Sequence, residues 1–303
     1  MQITRAIVPA AGRGTRLYPI TKAQPKEMLP LGPRPVIQGV AEELIAAGVT
    51  DILLITGDTK RAIEDHFDPA SGLTPENAPA ETRQFALDPT SARFYSLRQG
   101  EPRGLGHAVS CGAKFAGDEH VVVALGDCIL TSREPLTRMV RLHERYEADI
   151  SIVVQRVSLE ATRRYGIIDP GDGLDEDCFE MRDIVEKPGP DAAPSQFAVA
   201  ARYVFSPEIF DYLSGLKPGL GDEIQLTDAI RAMIADGHRA VAVPLAEGEH
   251  RLDVGNYASY GRAFIRTMLT DSELGEGLRT YTANLLTHLT DQEHPDPDLP
   301  TDS

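Results

Sequence analysis

Two continuous apolar stretches constrain the fold of this chain more than any other feature. They are DILLIT at residues 51–56 and HVVVALGDCIL at residues 120–130, and neither shows a regular alternation of apolar and polar residues. Strands of this kind are typical of a parallel sheet that helices cover on both faces. The segments 35–47 and 59–67 carry apolar residues at helical spacing and flank the first stretch. The order of strand, glycine turn, helix, strand and helix predicts an α/β fold with a doubly wound, Rossmann-like sheet.

The second half of the chain has a different pattern. Residues 156–205 contain short strand-like segments separated by turns, which indicates antiparallel pairing and makes the predicted sheet mixed. Residues 68–93 are rich in proline, alanine and serine and predict a long surface excursion. Helical spacing returns over residues 256–289. Residues 291–303 form an acidic, proline-rich tail that we expect to be disordered.

The charge and the cysteine content exclude several classes of function. The net charge of −16 opposes binding to nucleic acid and to anionic membranes, because both partners need a basic surface. No stretch approaches the roughly 18 apolar residues of a membrane span, and the N-terminus lacks the pattern of a signal peptide. The cysteines Cys111, Cys128 and Cys178 match no disulfide or metal-binding spacing. We therefore predict a cytoplasmic protein that acts on small molecules.

The segment PAAGRGTRLYPITKAQPKEMLP at residues 9–30 brings basic residues to both ends of a glycine turn. Gly12 and Gly14 allow a sharp turn with exposed backbone N–H groups, and Arg16 and Lys26 add cations that suit phosphate oxygens. The spacing is not the dinucleotide fingerprint, which needs a third glycine, nor a Walker loop, which needs G-K-[ST]. For the two glycines alone, a loop with surface cations is the alternative explanation.

Several carboxylates stand where an α/β fold would place a ligand site. Asp127 lies near the end of the second apolar stretch, where it can hold Mg²⁺ together with phosphates or simply cap a turn. By position alone, Asp253 in RLDVGN is a turn residue and Glu223 in GDEIQLTDAI is a charge at a helix start. Glu186 and Lys187 in VEKP would point in opposite directions on a regular strand, so a local turn or bulge is needed for both to face one site.

The order and spacing of several motifs resemble the sugar-1-phosphate nucleotidylyltransferases. The series begins with G-x-G-T-R, and P-K follows after a spacing of eight residues. The further motifs come in the same order as in that family: KEMLPL, GDTKRAIEDHFD, GLGHAV, IVEKP and EIQLTDAI. KEMLPL is similar to the uridylyltransferase branch, whereas the thymidylyltransferases more often carry S-K-Q-L-L-P there. The resemblance spans about residues 3–265.

The resemblance implies transfer of UMP from UTP to α-D-glucose 1-phosphate with Mg²⁺, in a fold of the nucleotide-diphospho-sugar transferase type. It implies a catalytic domain at 1–265, with a nucleotide-binding half at about 1–155 and a sugar-binding half at 156–265, and a helical extension at 266–290. A homo-oligomer, a dimer or a tetramer, is expected, although the leucines of the last helices fit a subunit contact and an internal contact equally. The implied residues are Arg16, Lys26 and Lys187 for catalysis; Ala11, Gly12, Gly14, Thr15, Glu27, Gln99, Gly104 and Asp127 for the nucleotide; Gly166, Glu186, Lys187, Ala201 and Glu223 for the sugar; and Asp127 and Asp253 for the metal.

The chain departs from this resemblance at three places. Cys128 stands where the uridylyltransferases usually have a second aspartate, Ala201 stands where they usually have glycine, and the excursion at 68–93 is shorter than their helical insertion. Because the methyl group of Ala201 would lie near the hexose, another hexose 1-phosphate stays an alternative, as does dTTP. A catalytically silent binder of nucleotide sugars is a further alternative. A metal-dependent glycosyltransferase typically needs Asp-x-Asp, and Ile129 occupies its third position here.

Overall fold

Strands and helices alternate through the first half of the molecule, and strands dominate the start of the second. The structure, a computed structural model, describes residues 2–68, 76, 78–88, 90–219 and 222–290. Its strands in chain order are β1 (Arg5–Pro9), β2 (Pro30–Leu31), β3 (Arg34–Pro35), β4 (Asp51–Thr56), β5 (Arg93–Arg98), β6 (Val121–Ala124), β7 (Cys128–Leu130), β8 (Ile150–Arg156), β9 (Gly166–Asp175), β10 (Cys178–Glu186), β11 (Phe197–Phe205), β12 (Ala240–Pro244) and β13 (Arg251–Asp253). Its helices are α1 (Val36–Ala46), α2 (Arg61–Phe67), α3 (Leu105–Ser110), α4 (Ala113–Ala116), α5 (Glu134–Arg145), α6 (Ile209–Gly215), α7 (Leu226–Ala235), α8 (Tyr257–Thr270) and α9 (Gly275–Thr290).

A mixed sheet of nine strands forms the centre of the described part of the chain, in the order β5-β4-β1-β6-β11-β8-β12-β10-β9. The strands β4, β5, β1 and β6 are parallel, as the continuous apolar stretches predict. β11 is antiparallel to both β6 and β8, and β9 pairs antiparallel with β10. The prediction of a doubly wound mixed sheet is confirmed.

Helices cover both faces of the sheet because successive strand residues point to opposite sides. In β1, Ala6 and Val8 enter one core with side chains of α1, α2 and α5. Ile7, which lies between them, enters the other core with side chains of α3, α6 and α7. All six residues of β4 are buried. Full burial of an aliphatic side chain contributes roughly 1.5–3 kcal/mol, so this double coverage is the main stabilising feature of the sheet.

The second apolar stretch, which the sequence predicts as one strand over residues 120–130, is divided between two sheets. β6 lies in the central sheet, and β7 leaves it to pair with β13 in a separate two-stranded ribbon. Between them the N–H of Gly126 donates to the carbonyl of Pro9 at 3.1 Å. A Cβ at Gly126 would lie only 3.2 Å from that carbonyl oxygen. The single-strand prediction is wrong because this backbone contact bends the chain. The bend places Asp127 just beyond the C-terminal end of β6.

The predicted excursion at 68–93 lies partly outside the described residues. Its described section contains a 3-10 turn at Arg83–Phe85. Gln38 of α1 donates from Nε2 to the carbonyl of Phe85 at 2.6 Å, so this section is anchored on the helix.

The end of the described chain is helical, as predicted. α8 runs across the predicted domain boundary at residues 265–266, and α9 follows it. Within the described ranges, every helix is too short or too polar to span a bilayer. The predicted disordered tail at 291–303 lies outside the described residues.

Candidate active site

The glycine-rich loop after β1 is held from two sides. Gly14 has a φ of +66°, a left-handed conformation that favours glycine, and Thr21 Oγ1 donates to its carbonyl at 2.8 Å. Leu17 is fully buried. The hydroxyl of Tyr257, the first residue of α8, contacts the carbonyls of Leu17 at 3.2 Å and Tyr18 at 3.1 Å. These contacts fix the shape of the loop without any ligand.

Two ion pairs follow the loop, one partly buried and one almost completely buried. Lys26 Nζ contacts Asp127 Oδ2, and Lys60 Nζ donates to Glu27 Oε2 at 2.7 Å. The side chains of Lys60 and Glu27 are only 4% and 1% exposed. Burial would lower the pKa of Lys26, but the charges of Asp127 and Glu27 outweigh burial and raise it. Burial raises the pKa of Glu27, although Lys60 opposes that change.

Asp127 and Asp253 come together because β7 pairs with β13. Asp253 lies opposite Cys128 in this ribbon, and the N–H of Val254 donates to the carbonyl of Asp127 at 3.2 Å. Burial would raise the pKa of Asp127, but Lys26 outweighs it and lowers the pKa, so the carboxylate is ionised. The contact with the ammonium group of Lys26 shows that positive charge fits beside this carboxylate.

The carboxylates at this ribbon suit a cation that is bound partly by the protein and partly by a substrate. No group of three or more His, Cys, Asp and Glu side chains in the described ranges could hold a metal ion alone. Mg²⁺, however, is commonly bound by one or two carboxylates together with substrate phosphates. Asp127 and Asp253 provide two such carboxylates, one lining each of two adjoining clefts. The predicted metal ligands therefore fit Mg²⁺ only when phosphates are present.

Gln99, directly after β5, is oriented by two hydrogen bonds. Its Nε2 donates to the carbonyl of Gly104 at 3.2 Å and to Nδ1 of His107 at 2.9 Å. In the described part of the chain no hydrogen bond uses Oε1 of Gln99, which leaves this oxygen to accept from a ligand. His107 therefore helps to orient the amide of Gln99.

Gly104 is required by a close approach of two backbone segments. Its φ is +97°, and a Cβ there would lie 2.7 Å from the Cβ of Glu223 and 2.9 Å from the carbonyl oxygen of Ile224. The turn that contains Gly104 is therefore packed directly on the segment before α7. As a result Glu223 lines the same cleft as Gly104, and it is not part of the lining of the sugar cleft described below.

A cleft of about 770 Å³, the nucleotide cleft, gathers most of the residues predicted to bind the nucleotide. It is lined by Ala11, Gly12, Thr15, Arg16, Lys26, Glu27, Gln99, Gly104 and Asp127 among the predicted residues. Gly14 is outside this lining and supports the conformation of the loop instead. The cleft lies beyond the C-terminal ends of β1 and β6, which is where open α/β sheets bind their ligands.

A second cleft of about 370 Å³, the sugar cleft, adjoins the first and shares Arg16, Leu105 and Leu125 with it. It is lined by Gly166, Glu186, Lys187, Ala201 and Asp253 among the predicted residues. The two clefts therefore meet at Arg16.

The side chains of Glu186 and Lys187 both face the sugar cleft because the chain turns at Lys187. Lys187 has a φ of +46°, and its Nζ lies 3.0 Å from Glu186 Oε1. The hydroxyl of Thr227 donates to Glu186 Oε2 at 3.1 Å, and the N–H of Lys187 donates to the carbonyl of Tyr165 at 3.1 Å. The predicted need for a local turn is confirmed.

Ala201 occupies a backbone conformation that normally belongs to glycine. Its φ is +65°, and its side chain is buried at the wall of the sugar cleft. A left-handed conformation costs a residue with a Cβ roughly 1–2 kcal/mol. Arg202, the next residue, donates from Nε and Nη2 to the carboxylate of Glu43 at 2.8 and 2.7 Å, and from Nη1 to the carbonyl of Ala201 at 3.0 Å. This fully buried ion pair holds the unfavourable conformation in place.

Cys128, the other departure from the family pattern, packs on Arg251. Arg251 Nε donates to Cys128 Sγ at 3.1 Å, and Nη2 lies 3.4 Å from Asp253 Oδ1. The guanidinium carbon lies 4.9 Å from the centroid of the Tyr165 ring. Burial raises the pKa of Cys128, so the thiol stays neutral in this contact. Arg251 therefore connects the predicted metal ligand Asp253 to the wall of the sugar cleft.

Sequence reasoning missed several residues that shape the site, and for some of them a signal exists. Arg251 precedes the predicted ligand Asp253 by two residues on a strand, a spacing that puts both side chains on one face. Lys60, the partner of Glu27, lies within a motif that carried the family resemblance. The pair of Arg202 and Glu43 spans 159 residues, and no local pattern indicates it.

Comparison with known proteins agrees with this geometry. A family model described as nucleotidyl transferase matches residues 5–268. A UTP–glucose-1-phosphate uridylyltransferase of Bacillus subtilis (strain 168) is 42% identical over 294 residues, which cover 94% of this chain and 98% of the relative. The structure of UTP-bound UGPase from Acinetobacter baumannii has a TM-score of 0.82 at 31% identity and covers 94% of this chain and 100% of that chain. A UDP-glucose pyrophosphorylase complexed with UDP-glucose has a TM-score of 0.78 at 35% identity, with coverages of 87% and 97%. The chain therefore belongs to the nucleotidyl transferase family and groups within it with the UTP–glucose-1-phosphate uridylyltransferases.

Proposed function

We propose that the chain transfers UMP from UTP to α-D-glucose 1-phosphate and releases UDP-glucose and pyrophosphate. The observation that carries this proposal is the pair of adjoining clefts that meet at Arg16, with Lys26 in one wall and Lys187 in the other. The choice of substrates is supported by the similar proteins, of which one structure is UTP-bound and another is complexed with UDP-glucose.

The reaction requires alignment of two anions and no nucleophile from the protein. An oxygen of the sugar phosphate attacks the α-phosphorus of UTP, and a new P–O bond forms as the bond from that phosphorus to the oxygen bridging the β-phosphate breaks. Pyrophosphate leaves with the electron pair of the broken bond. The protein has to hold both substrates in line and offset the repulsion between their charges.

The nucleotide cleft supplies the groups for UTP. The backbone at Ala11 and Gly12 and the amide of Gln99 would hold the nucleoside, because they line this cleft and are not part of the lining of the sugar cleft. Arg16 would stabilise the departing pyrophosphate with its forked guanidinium group. Lys26, fixed beside Asp127, would neutralise the α-phosphate without moving.

The sugar cleft supplies the groups for glucose 1-phosphate. The carboxylate of Glu186, held by Thr227, would accept hydrogen bonds from sugar hydroxyls. Lys187 would bind the attacking phosphate. At Gly166, a Cβ would lie 3.0 Å from Thr227 Cγ2, so glycine keeps the wall open beside Glu186. The methyl group of Ala201 also lines this cleft, where glycine would leave more room.

Asp127 and Asp253 would hold Mg²⁺ where the two clefts meet, on the donor chemistry described above. When bound, the ion would neutralise phosphate charge and draw the two phosphates together. Arg251 would keep Asp253 in position through its contact at 3.4 Å.

A cytoplasmic homo-oligomer, a dimer or a tetramer, completes the proposal. All three cysteines are free, as is usual in a reducing compartment. The last two helices and the turn between them expose Ile265 (56%), Leu274 (47%) and Leu289 (66%), which a second copy of the chain would cover. Light scattering should therefore give a mass of two or four times 33.0 kDa, and a mass of one chain would contradict the oligomer.

Release of pyrophosphate from matched panels of nucleotides and sugar phosphates tests the proposed reaction. We expect fast release with UTP and glucose 1-phosphate in the presence of Mg²⁺. Faster release with dTTP, or with another hexose 1-phosphate, would redirect the substrate assignment within the same chemistry. No release with any pair, together with binding of UDP-glucose, would identify a silent binder instead.

A further inference from the structure

A third cleft, lined by arginines, adjoins the sugar cleft, and the reaction proposed above assigns no substrate to it. It has a volume of about 690 Å³ and lies between α8 and residues 155–165, with β13 contributing to its lining. We call it the arginine cleft after its basic side chains, Arg164, Arg251, Arg262 and Arg266. Asp253 is the single acidic residue of its lining.

Three of these arginines lack an acidic partner. None of the ion pairs formed by the described residues includes Arg164, Arg262 or Arg266. The chain as a whole has 46 acidic and 30 basic residues, so a carboxylate is available to most surface cations. The cleft therefore concentrates positive charge on a chain that is acidic as a whole.

Arginines elsewhere on the surface illustrate the contrast. Arg141 lies 3.6 Å from Asp177, and Arg182 lies 3.3 Å from Asp172. In the nucleotide cleft, Arg13 and Arg16 are also outside the ion pairs of the described residues, and that lining is predicted to bind a triphosphate. The same arrangement in the arginine cleft indicates a second site for an anion.

The geometry of α8 suits an anion with several oxygens. Asn256, Ser259, Arg262 and Arg266 recur at three- and four-residue spacing, so they lie along one stripe of the helix. Arg262 and Arg266 are one helical turn apart, about 6 Å along the axis. Their guanidinium groups can therefore approach one phosphate group from two sides, while Arg164 approaches from across the cleft.

The arginine cleft and the sugar cleft share part of their walls. Arg164, Tyr165, Arg251, Asp253 and Asn256 line both. An anion in the arginine cleft would attract Arg251, which otherwise contacts Asp253 and the ring of Tyr165. Occupation of one cleft would therefore change the shape and the charge of the other.

We infer that the arginine cleft binds a phosphate-bearing anion at a site separate from the two substrates. The recognised group is the dianionic phosphate, whether it comes as inorganic phosphate or on a small ester. Because the common wall includes Arg251 and Asp253, binding there adjusts the sugar cleft. The inference rests on the proposed function only in using UDP-glucose to fill the two substrate clefts.

Calorimetric titration of inorganic phosphate into the protein saturated with UDP-glucose, in EDTA, tests this inference. UDP-glucose fills the nucleoside and sugar positions, and inorganic phosphate is not a substrate of the reverse reaction. The pyrophosphate position at Arg16 stays open, and phosphate bound there should not respond to substitutions in the arginine cleft. We expect one phosphate per chain in the arginine cleft. The double variant Arg262→Ser/Arg266→Ser should bind phosphate about tenfold more weakly, because two charge-assisted contacts are lost. Glucose 6-phosphate in place of phosphate shows whether the site also accepts an ester.

The matched control is Arg141→Ser/Arg182→Ser, which removes the same charge from the paired surface arginines. This control should bind phosphate like the unmodified protein. Absence of phosphate binding to the unmodified protein, or equal binding by the two double variants, would overturn the inference. Failure of UDP-glucose to bind would contradict the proposed function instead. In that case phosphate is titrated without it, and a loss confined to Arg262→Ser/Arg266→Ser still supports the site.

Discussion

The nucleotide cleft and the sugar cleft place their charges in different ways. In the nucleotide cleft, Lys26 is paired with Asp127, and their side chains are 14% and 21% exposed. The pair of Lys60 and Glu27 behind them is almost completely buried. In the sugar cleft, Lys187 is paired with a neighbour in sequence and is 43% exposed. The lysine of the nucleotide cleft is therefore fixed by a long-range ion pair, and the lysine of the sugar cleft by a local turn.

This difference separates two kinds of residue. The paired charges of the nucleotide cleft are held in place by the fold, so their removal affects both stability and turnover. Lys187 is held by its own backbone turn, so its removal should affect turnover with little effect on stability. Ala201 lies in the wall of the same cleft as Lys187, and the buried pair of Arg202 and Glu43 holds its strained conformation.

The largest expected effect is that of Asp127→Asn. The amide keeps the shape of the side chain but removes the charge that faces Lys26 and the proposed metal. We expect turnover to fall by about a thousandfold, by analogy with the loss of one preorganised electrostatic group. Pyrophosphate release at several Mg²⁺ concentrations measures this effect. Asp65→Asn, which removes an exposed partner of Arg61, serves as the control and should keep full activity.

A comparison of Lys187→Ala with Arg16→Ala tests whether the two clefts act on different substrates. Both variants should keep the fold and lose about a hundredfold in turnover. The KM for glucose 1-phosphate should rise in Lys187→Ala, whereas the KM for UTP should rise in Arg16→Ala. Initial rates with each substrate varied in turn provide these values. Near-normal activity in both variants would contradict the assignment of the clefts.

Lys60→Met tests the claim that buried charge holds the nucleotide cleft. Glu27 would remain buried without its partner, and such a loss costs about 3–5 kcal/mol of unfolding free energy. Arg231→Met is the counterpart in the second half, because Arg231 is 58% exposed and pairs with Asp183 at 2.9 Å. Its cost should be below about 1 kcal/mol. Urea denaturation of both variants measures these losses of unfolding free energy. Equal losses would contradict the claim that buried charge holds the nucleotide cleft.

A third region, at the end of the sheet opposite the clefts, should set the acid sensitivity of the fold. His143 is fully buried and lies 2.8 Å from both His120 and Ser151. Burial lowers its pKa from 6.5 to about 3, so between these values the unfolded chain binds more protons than the folded chain. The unfolding free energy should therefore fall by about 1 kcal/mol between pH 6.5 and 5.5 through this residue.

The variant His143→Gln isolates this contribution. Urea denaturation at both pH values should show a smaller fall in the variant than in the unmodified chain. An identical fall in both proteins would assign the acid sensitivity to groups other than His143.

The smallest effect is expected from Ala201→Gly. Glycine adopts the φ of +65° without strain, so the unfolding free energy should rise by up to about 1 kcal/mol. Ala200→Gly, at the neighbouring buried position, should lower it. Urea denaturation of the two variants measures both changes. A loss of stability in Ala201→Gly would show that the methyl group contributes more by packing than it costs in backbone strain.

The sequence predicts those parts of the molecule that depend on local patterns. The stretch at 51–56 is a buried strand as predicted, and the helix at 35–47 is observed as α1. The stretch at 120–130 has the same appearance, but the contact of Gly126 with the carbonyl of Pro9 divides it. A backbone contact over more than a hundred residues has no local pattern.

The same distinction holds for the candidate site. Family motifs indicate residues that touch ligands, and most of these line the two clefts. Residues that support them through distant partners were missed, as the pairs of Arg202 with Glu43 and of Arg251 with Cys128 show. At Ala201 the backbone has a positive φ, which explains why glycine is usual at this position and which no sequence pattern shows.

The fate of the α-phosphate of UTP tests the central claim most directly. The protein is incubated with Mg²⁺, glucose 1-phosphate and UTP that is radiolabelled at the α-phosphorus, and the products are separated. The proposed attack in the shared region of the two clefts predicts that all transferred label appears in UDP-glucose and none in pyrophosphate. Label in pyrophosphate, or no labelled UDP-glucose while both substrates bind, would contradict the account.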